Sequence, residues 1–179
     1  MKFKIFIVAA ILMVPMVGIA GKDKISLEDK TKAAFIYNFT KYIQWTKDTS
    51  QVFRIGVVGE CGILAPLKEI EKKKRVGKRE ISVKQYNKTS QIDSCHILFI
   101  SGSAEQNLPE ILDSIRNKNI LTIGDTKGFA QKGVAINFVV VNEKMRFQIN
   151  SSVLDGLDLR VSSQLLKLAL FVKGEKKND

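Results

Sequence analysis

The sequence predicts an α/β fold: a single domain with a largely parallel, Rossmann-like sheet flanked by helices, ending in a C-terminal β-hairpin and further helices. Two patterns predict it. Early in the chain, short apolar runs typical of strands buried on both faces alternate with amphipathic patterns typical of helices. This alternation favours a parallel sheet covered by helices. Later, two apolar runs are separated only by Asn142-Glu143-Lys144, which is typical of a hairpin.

The first predicted element is a helix over residues 28–45. Ser26 is a suitable N-cap, and Glu28 and Asp29 follow in the first turn, where acidic residues are favourable. Apolar residues recur at helical spacing between positions 33 and 43. We expect this stripe to pack on the domain core, with contact to lipid or to a partner as the alternative.

The following elements alternate between strands and helices. The apolar run 52–59 ends in glycine, which suits a buried strand, and residues 62–72 carry apolar residues at helical spacing. Residues 79–86 alternate between apolar and polar side chains, as in a half-buried strand. The remaining elements of this part are a buried strand at 96–101, an amphipathic helix at 107–116 and a strand at 119–123.

The C-terminal part has a different pattern. Residues 134–141 and 145–149 are the two strands of the predicted hairpin. Segments 153–157 and 162–172 are predicted to be helical, and a tail rich in lysine follows them.

The N-terminus has the pattern of a secretory signal. Two lysines within residues 1–4 precede the apolar run 5–17, which is interrupted only by Pro15, and Gly18-Ile19-Ala20 supplies small residues for cleavage. The run is shorter than the roughly 20 residues that a membrane-spanning helix needs. We therefore predict a cleaved signal peptide at 1–20 and a single domain at 21–179, with an uncleaved anchor as the alternative.

The chain is basic, with a formal net charge of +11. The predicted signal holds two of its lysines and no acid, so +9 remains on the exported part. The densest cluster lies between residues 72 and 79, has no interleaved aromatic residues, and is expected to be a solvated loop. Export argues against a nucleic-acid partner, whereas contact with a membrane surface or an acidic partner stays open.

The glycines of segment 56–62 suggest a nucleotide site only superficially. Their spacing departs from the Gly-x-Gly-x-x-Gly pattern, and Glu60 in the turn would repel a pyrophosphate. We therefore expect no nucleotide cofactor and explain the glycines by a tight turn. A small ligand at the carboxyl ends of the strands remains an alternative, because open α/β sheets bind ligands there.

Catalytic chemistry has little support in the sequence. His96 is the only histidine, Ser101-Gly102-Ser103 has no evident base, and Asp125 has no obvious second carboxylate. Cys61 and Cys95 cannot supply a four-ligand zinc site. We expect a protein that is not an enzyme and has neither a cofactor nor a metal. In an oxidising compartment the two cysteines permit one disulfide.

Four ordered segments together resemble the YfiR family of periplasmic proteins, and they span nearly all of the predicted mature chain. They are 32–45 (KAAFIYNFTKYIQW); 53–59 (FRIGVVG); 95–101 (CHILFIS) with 121–125 (LTIGD) and 128–130 (GFA); and 136–138 (INF), 147–150 (FQIN) and 162–169 (SSQLLKLA). The resemblance implies an α/β domain, often a homodimer, without catalytic residues. It also implies a repressor that binds the periplasmic domain of a membrane diguanylate cyclase and so lowers cyclic di-GMP and biofilm formation.

The resemblance also bears on the cysteines and on two candidate surfaces. Cys95 resembles one of the family's disulfide-forming cysteines, but the usual partner position is occupied by Gly56, and Cys61 lies beyond the end of that strand. A Cys61–Cys95 disulfide is therefore one alternative and two free thiols the other. The predicted partner-binding residues are Arg160, Ser162, Ser163 and Gln164, with capping of the last helix as the structural alternative for the serines. The second candidate surface has two alternative interpretations, a structural turn or the lining of a pocket, and it consists of Gly124, Asp125, Gly128 and Phe129.

Overall fold

A computed structural model describes residues 25–172, so the predicted signal peptide at 1–20 lies outside the described residues. The strands are β1 Ile43–Trp45, β2 Val52–Val58, β3 Arg75–Val76, β4 Arg79–Tyr86, β5 Ile97–Ile100, β6 Leu121–Gly124, β7 Ile136–Val141, β8 Lys144–Asn150, β9 Leu159–Val161 and β10 Leu170–Val172. The helices are α1 Leu27–Tyr42, α2 Leu64–Lys73, α3 Leu108–Ser114, α4 Ser151–Leu154 and α5 Ser163–Leu168. Among residues 25–172, none of the helices has the length and hydropathy that crossing a bilayer requires.

Eight of the strands form the main sheet, in the order β10-β8-β7-β6-β5-β2-β4-β3. From β4 to β7 all neighbours are parallel, whereas β8 is antiparallel to β7 and β3 is antiparallel to β4. Helix α2 connects β2 to β4 through the short strand β3, and α3 connects β5 to β6. The predicted α/β class with a largely parallel sheet is thus confirmed.

Apolar side chains cover both faces of this sheet. On one face, Phe39 of α1 packs against Phe147 with a distance of 5.1 Å between the ring centroids, and Leu67 of α2 joins the same cluster. On the other face, Leu108 and Ile111 of α3 pack with a second buried cluster. Because both faces are covered, the central strands are largely apolar, with Arg54 in β2 and Thr122 in β6 as exceptions, and this is why their sequence runs were recognisable.

The predicted hairpin is confirmed as β7 and β8. Asn142 and Glu143 form its two-residue turn with φ angles of 49° and 60°. Positive φ at both central residues is the geometry of a type I′ turn, whose twist matches that of the flanking strands. Val141 pairs with Lys144 directly beside the turn.

The end of the first predicted helix is wrong. Ser26 caps α1 as predicted, since its hydroxyl accepts a hydrogen bond from the Asp29 N–H at 2.9 Å. However, residues 43–45 form a strand that pairs antiparallel with β9 in a second, two-stranded sheet. Ile43 and Trp45 point into the core while Gln44 is exposed, and this alternation fits a strand better than a helix.

The predicted C-terminal helices are partly wrong. The helix expected at 153–157 is the single turn α4, whose start is capped by the Asn150 side chain. The helix expected at 162–172 ends at Leu168, and Leu170–Val172 form β10 at the edge of the main sheet, parallel to β8. The Leu-Phe-Val sequence of β10 suits a strand, and pairing with β8 decides between the two structures.

Candidate functional site

The predicted partner-binding residues lie where the two-stranded sheet meets α5. Arg160 pairs with Gln44 across β9 and β1, and both side chains are exposed. Ser163 and Gln164 are exposed in the first turn of α5. The exposed residues Gln44, Arg160, Ser163 and Gln164 are called the β9–α5 surface below.

Ser162 has a structural role beside this surface. Its hydroxyl accepts a hydrogen bond from the Gln164 N–H at 3.2 Å, and its own N–H donates to the Tyr42 carbonyl oxygen at 2.8 Å. The first bond caps α5 and the second ties this helix to the end of α1. Ser162 is therefore the N-cap of α5, which was the structural alternative for the serines, whereas Ser163 and Gln164 are exposed.

A polar pocket of about 480 Å³ borders the β9–α5 surface, and Arg160, Arg79 and Trp45 are among its lining residues. Trp45 is 9% exposed, and its indole Nε1 has no hydrogen-bond partner within residues 25–172. Arg79 hydrogen-bonds to Asp48. Guanidinium groups pair well with carboxylates, so acidic or carbonyl groups of a partner have the chemistry that complements this pocket.

A buried histidine network lies next to the pocket, because Asp48 contacts both His96 and the pocket residue Arg79. His96 Nδ1 accepts a hydrogen bond from the Arg54 N–H at 2.9 Å, and Nε2 lies 2.9 Å from Asp48 Oδ2 and 3.0 Å from Ser50 Oγ. Because Nδ1 is an acceptor, the proton of the neutral ring is on Nε2. The ring also stacks on Phe53, with 4.4 Å between centroids. The network ties the loop between β1 and β2 to the main sheet.

The network shifts the titration of both of its ionisable members. Burial lowers the pKa of His96 below its ordinary value, and nearby Asp48 offsets this effect only in part. Burial by itself would raise the pKa of Asp48, but hydrogen bonds from Ser50 and Arg79 outweigh it and hold that pKa well below its usual range. At neutral pH the network therefore contains a neutral imidazole and an ionised carboxylate.

A second candidate site lies at the carboxyl end of β6 and is called the hairpin cleft. It has a volume of about 480 Å³ and is lined by Glu28, Lys32, Asp125, Lys127, Gly128, Gln131, Phe138, Val139, Val140, Met145 and Gln148. The Lys32 Nζ lies 2.7 Å from Asp125 Oδ2 and 2.6 Å from Glu28 Oε1. Burial alone would lower the pKa of Lys32, but these two carboxylates raise it above its ordinary value.

The four predicted turn residues divide between structure and cleft. Asp125 and Gly128 line the hairpin cleft, and Gly128 has a φ of 88°, which glycine adopts readily. Phe129 is fully buried, and a Cβ on Gly124 would lie 2.6 Å from the Phe129 ring. Gly124 and Phe129 therefore hold the turn, while Asp125 and Gly128 face the open space.

The crevice between the ends of β2 and β5 is where chain connections diverge to opposite faces of the sheet, the usual ligand position in open α/β folds. Here serine hydroxyls occupy it. Ser103 Oγ accepts a hydrogen bond from the Glu60 N–H at 2.7 Å, and Ser101 Oγ lies 2.8 Å from Ser103 Oγ. A Cβ on Gly59 would lie 2.3 Å from Ser101 Oγ, so the glycine is required by this close approach.

Both cysteines are free thiols. Ile97 of β5 lies opposite Ile55 of β2 in parallel register, so Cys95 lies near Phe53, whereas Cys61 comes after Val58 at the other end of β2. The strand from Phe53 to Val58 spans about 17 Å. A disulfide needs Cα atoms within about 7 Å of each other, so Cys61 and Cys95 do not form a disulfide in this structure. Burial raises the pKa of Cys95 to about 12. A Cβ on Gly56 would lie 3.3 Å from Cys95 Sγ, so the position that the resemblance predicts for a partner cysteine lies beside this thiol.

Sequence reasoning missed Lys32, Asp48 and Trp45 as site residues. Lys32 was identifiable in principle, because it lies in the buried stripe of α1 next to Ala33 and one turn after Glu28. Its partner Asp125 is 93 positions away, and only the fold brings the two together. No local pattern marks Asp48, whose role depends on the position of His96.

The fold and these sites define an α/β domain with an exposed polar surface beside one pocket and a cleft beside its hairpin. Comparison with known families identifies its relatives: a family profile described as YfiR/HmsC-like matches residues 29–170. The chain therefore belongs to the YfiR/HmsC-like family. A search of curated proteins gives no significant match.

Proposed function

We propose that this protein is a periplasmic regulator that restrains an inner-membrane diguanylate cyclase by binding the cyclase's periplasmic domain, and so lowers cyclic di-GMP signalling and attachment. The proposal rests on one observation, the family match over residues 29–170. The predicted signal peptide at 1–20 supplies export to that compartment, and the protein acts as a homodimer and not as an enzyme. A repressor that binds only the inactive state of a receptor shifts its population towards that state.

Within this proposal the β9–α5 surface contacts the cyclase. Arg160 is exposed and borders a pocket that contains a second guanidinium, and the exported chain carries a net charge of +9. An acidic surface on the cyclase is the complementary partner. Contact with an anionic membrane surface is compatible with the same charge.

The test is a measurement of intracellular cyclic di-GMP with and without this gene. Deletion is expected to raise the cyclic di-GMP level, and the exported protein, but not a version lacking residues 1–20, is expected to reverse the rise. Arg160→Glu is expected to complement poorly, whereas Lys88→Glu, a charge reversal at an exposed loop position, is expected to complement fully. An unchanged level on deletion across envelope stresses would exclude the repressor function.

A second candidate function is favoured by the hairpin cleft, whose volume falls within the range of small-molecule sites. In that case the protein is a periplasmic small-ligand carrier. A ligand that copurifies with the protein, or one that raises its melting temperature, is the expected observation.

A further inference from the structure

The hairpin cleft has an unpaired strand edge as one of its walls. Strand β6 ends at Gly124 and pairs with β7 only at Ile136 and Asn137. Phe138 to Val141 therefore pair only with β8 in the described part of the chain. In an extended strand, alternate residues direct their N–H and C=O groups to each side, so part of this backbone faces the cleft without a strand partner.

The side chains along this edge are apolar, and they become exposed towards its outer end: Phe138 is buried and Val139 half-buried. Val140 is 66% exposed and Val141 is 41% exposed. Strand edges are usually protected from association by charged residues, proline or a bulge, and residues 138–141 contain neither charge nor proline. Exposed valines on an open edge are the features of a strand that pairs with another chain.

The wall of the hairpin cleft opposite β7 is formed by the segment that follows β6. Asp125, Lys127, Gly128 and Gln131 line the cleft across from β7, and Gln131 Oε1 is buried without a hydrogen-bond partner within residues 25–172. The cleft thus continues the line of β6 beyond its end.

The charged residues around the hairpin cleft favour a partner segment that carries acidic residues. Glu28 and Asp125 are both engaged by Lys32, whereas Lys127 and Lys144 form no salt bridge with the described residues. Lys144 lies opposite Val141, at the outer end of the edge, and Lys127 lies on the facing loop. The turn residue Glu143 adds one carboxylate next to Lys144. Two free lysines beside an apolar edge complement an apolar segment that is flanked by carboxylates.

We propose that a protein partner docks here by strand addition: an extended apolar segment flanked by acidic residues pairs with β7 at Phe138–Val141 and fills the hairpin cleft. Backbone hydrogen bonds supply affinity in this mode, and the pockets for alternate side chains supply selectivity. This deepens the proposed function, on which it rests for the identity of the partner as the cyclase's periplasmic domain.

The first test uses a defined probe and the 15N-labelled protein without residues 1–20. The probe is the capped peptide Glu-Thr-Val-Ile-Val-Thr-Glu, and its control carries N-methyl groups on alternate backbone nitrogens. The probe is expected to shift the amide resonances of residues 138–141 saturably and to slow their hydrogen exchange, and the methylated control is expected to do neither. Equal binding of both peptides, or no shift at these residues, overturns the proposal.

Two matched variants test the position. Val140→Lys places a charge on the edge and is expected to weaken probe binding by about tenfold or more. Phe171→Lys makes the same change at another exposed apolar residue of the sheet, on β10, and is expected to leave binding unchanged. Equal losses in both variants would indicate non-specific apolar adhesion. Conversion of a dimer to a monomer by Val140→Lys in sedimentation velocity would assign the edge to a second copy. Either result overturns the proposal.

Complementation separates this proposal from the proposed function. If deletion raises cyclic di-GMP and the Val140→Lys protein, present at normal abundance, fails to restore it, both stand. If Val140→Lys restores it fully, strand addition is wrong and repression stands. If deletion changes nothing, repression fails, and peptide binding alone decides whether β7 accepts a strand.

Discussion

Acidification is expected to destabilise this protein through its single histidine. The pKa of His96 is lowered in the folded state, so the unfolded chain binds this proton at higher pH than the folded chain does. The contribution to stability is complete above the ordinary pKa of about 6.5 and is lost as the pH falls below it. Each pH unit between the unfolded and folded values removes up to about 1.4 kcal/mol from the free energy of unfolding.

The structure gives the reason for this direction. A second proton on His96 must go to Nδ1, which already accepts the Arg54 N–H at 2.9 Å. Two N–H groups would then face each other in a buried site, and an unsatisfied buried donor costs about 1–3 kcal/mol. Asp48 favours the imidazolium but already pairs with Arg79, so it compensates only in part.

The assay is urea unfolding at several pH values between 5 and 8, with Trp45 fluorescence as the signal that reports the folded fraction. Trp45 is the only tryptophan, and its ring centroid lies 5.9 Å from that of His96. His96→Gln can keep the Arg54 bond through its carbonyl oxygen, and its unfolding free energy is expected to vary less over this range. NMR of the single imidazole gives its pKa directly. A pKa at or above 6.5, or equal pH dependence in both proteins, would refute this reasoning.

Three further substitutions, the first with a matched control, test the packing, the electrostatics and the hairpin turn by chemical denaturation. Lys32→Met leaves Asp125 without its cation and is expected to cost about 1–3 kcal/mol, whereas Lys47→Met, at a 77% exposed ion pair, is expected to change stability by less than about 0.5 kcal/mol. Gly56→Ala puts a Cβ 2.7 Å from Tyr86 Cε2 and is expected to cost about 1–3 kcal/mol; a neutral result would show that the neighbours shift freely. Glu143→Gly relieves a positive φ in the turn and is expected to stabilise by up to about 1 kcal/mol; a loss would contradict the type I′ assignment.

The main sheet was predictable because burial on both faces leaves its mark on the sequence. β5 is an apolar run without interruption, β2 is largely apolar apart from Arg54, and β7 of the hairpin is apolar apart from Asn137. The short strands β1, β9 and β10 were not predictable, since each has three residues and depends on a partner distant in sequence. Local propensity cannot decide the structure of so short a segment.

The candidate sites were predictable to a similar degree. Arg160 and Asp125 were identified as surface and turn residues, and the structure places each at a pocket. Their neighbours Arg79 and Lys32 come from other elements, so no spacing in the sequence joins them. The unpaired edge of β7 depends on where β6 ends, which is a property of the sheet as a whole.

The pairing of β1 with β9 also affects how the chain reaches this structure. Ile43 pairs with Val161, so a loop of more than a hundred residues must close before this small sheet exists. Such long-range pairings slow folding, because the entropy of loop closure is lost before the contacts compensate for it. The first helix completes its packing only when the last strands have been made. Until synthesis of the chain is nearly complete, β1 therefore stays without its strand partner, even where the main sheet has begun to form.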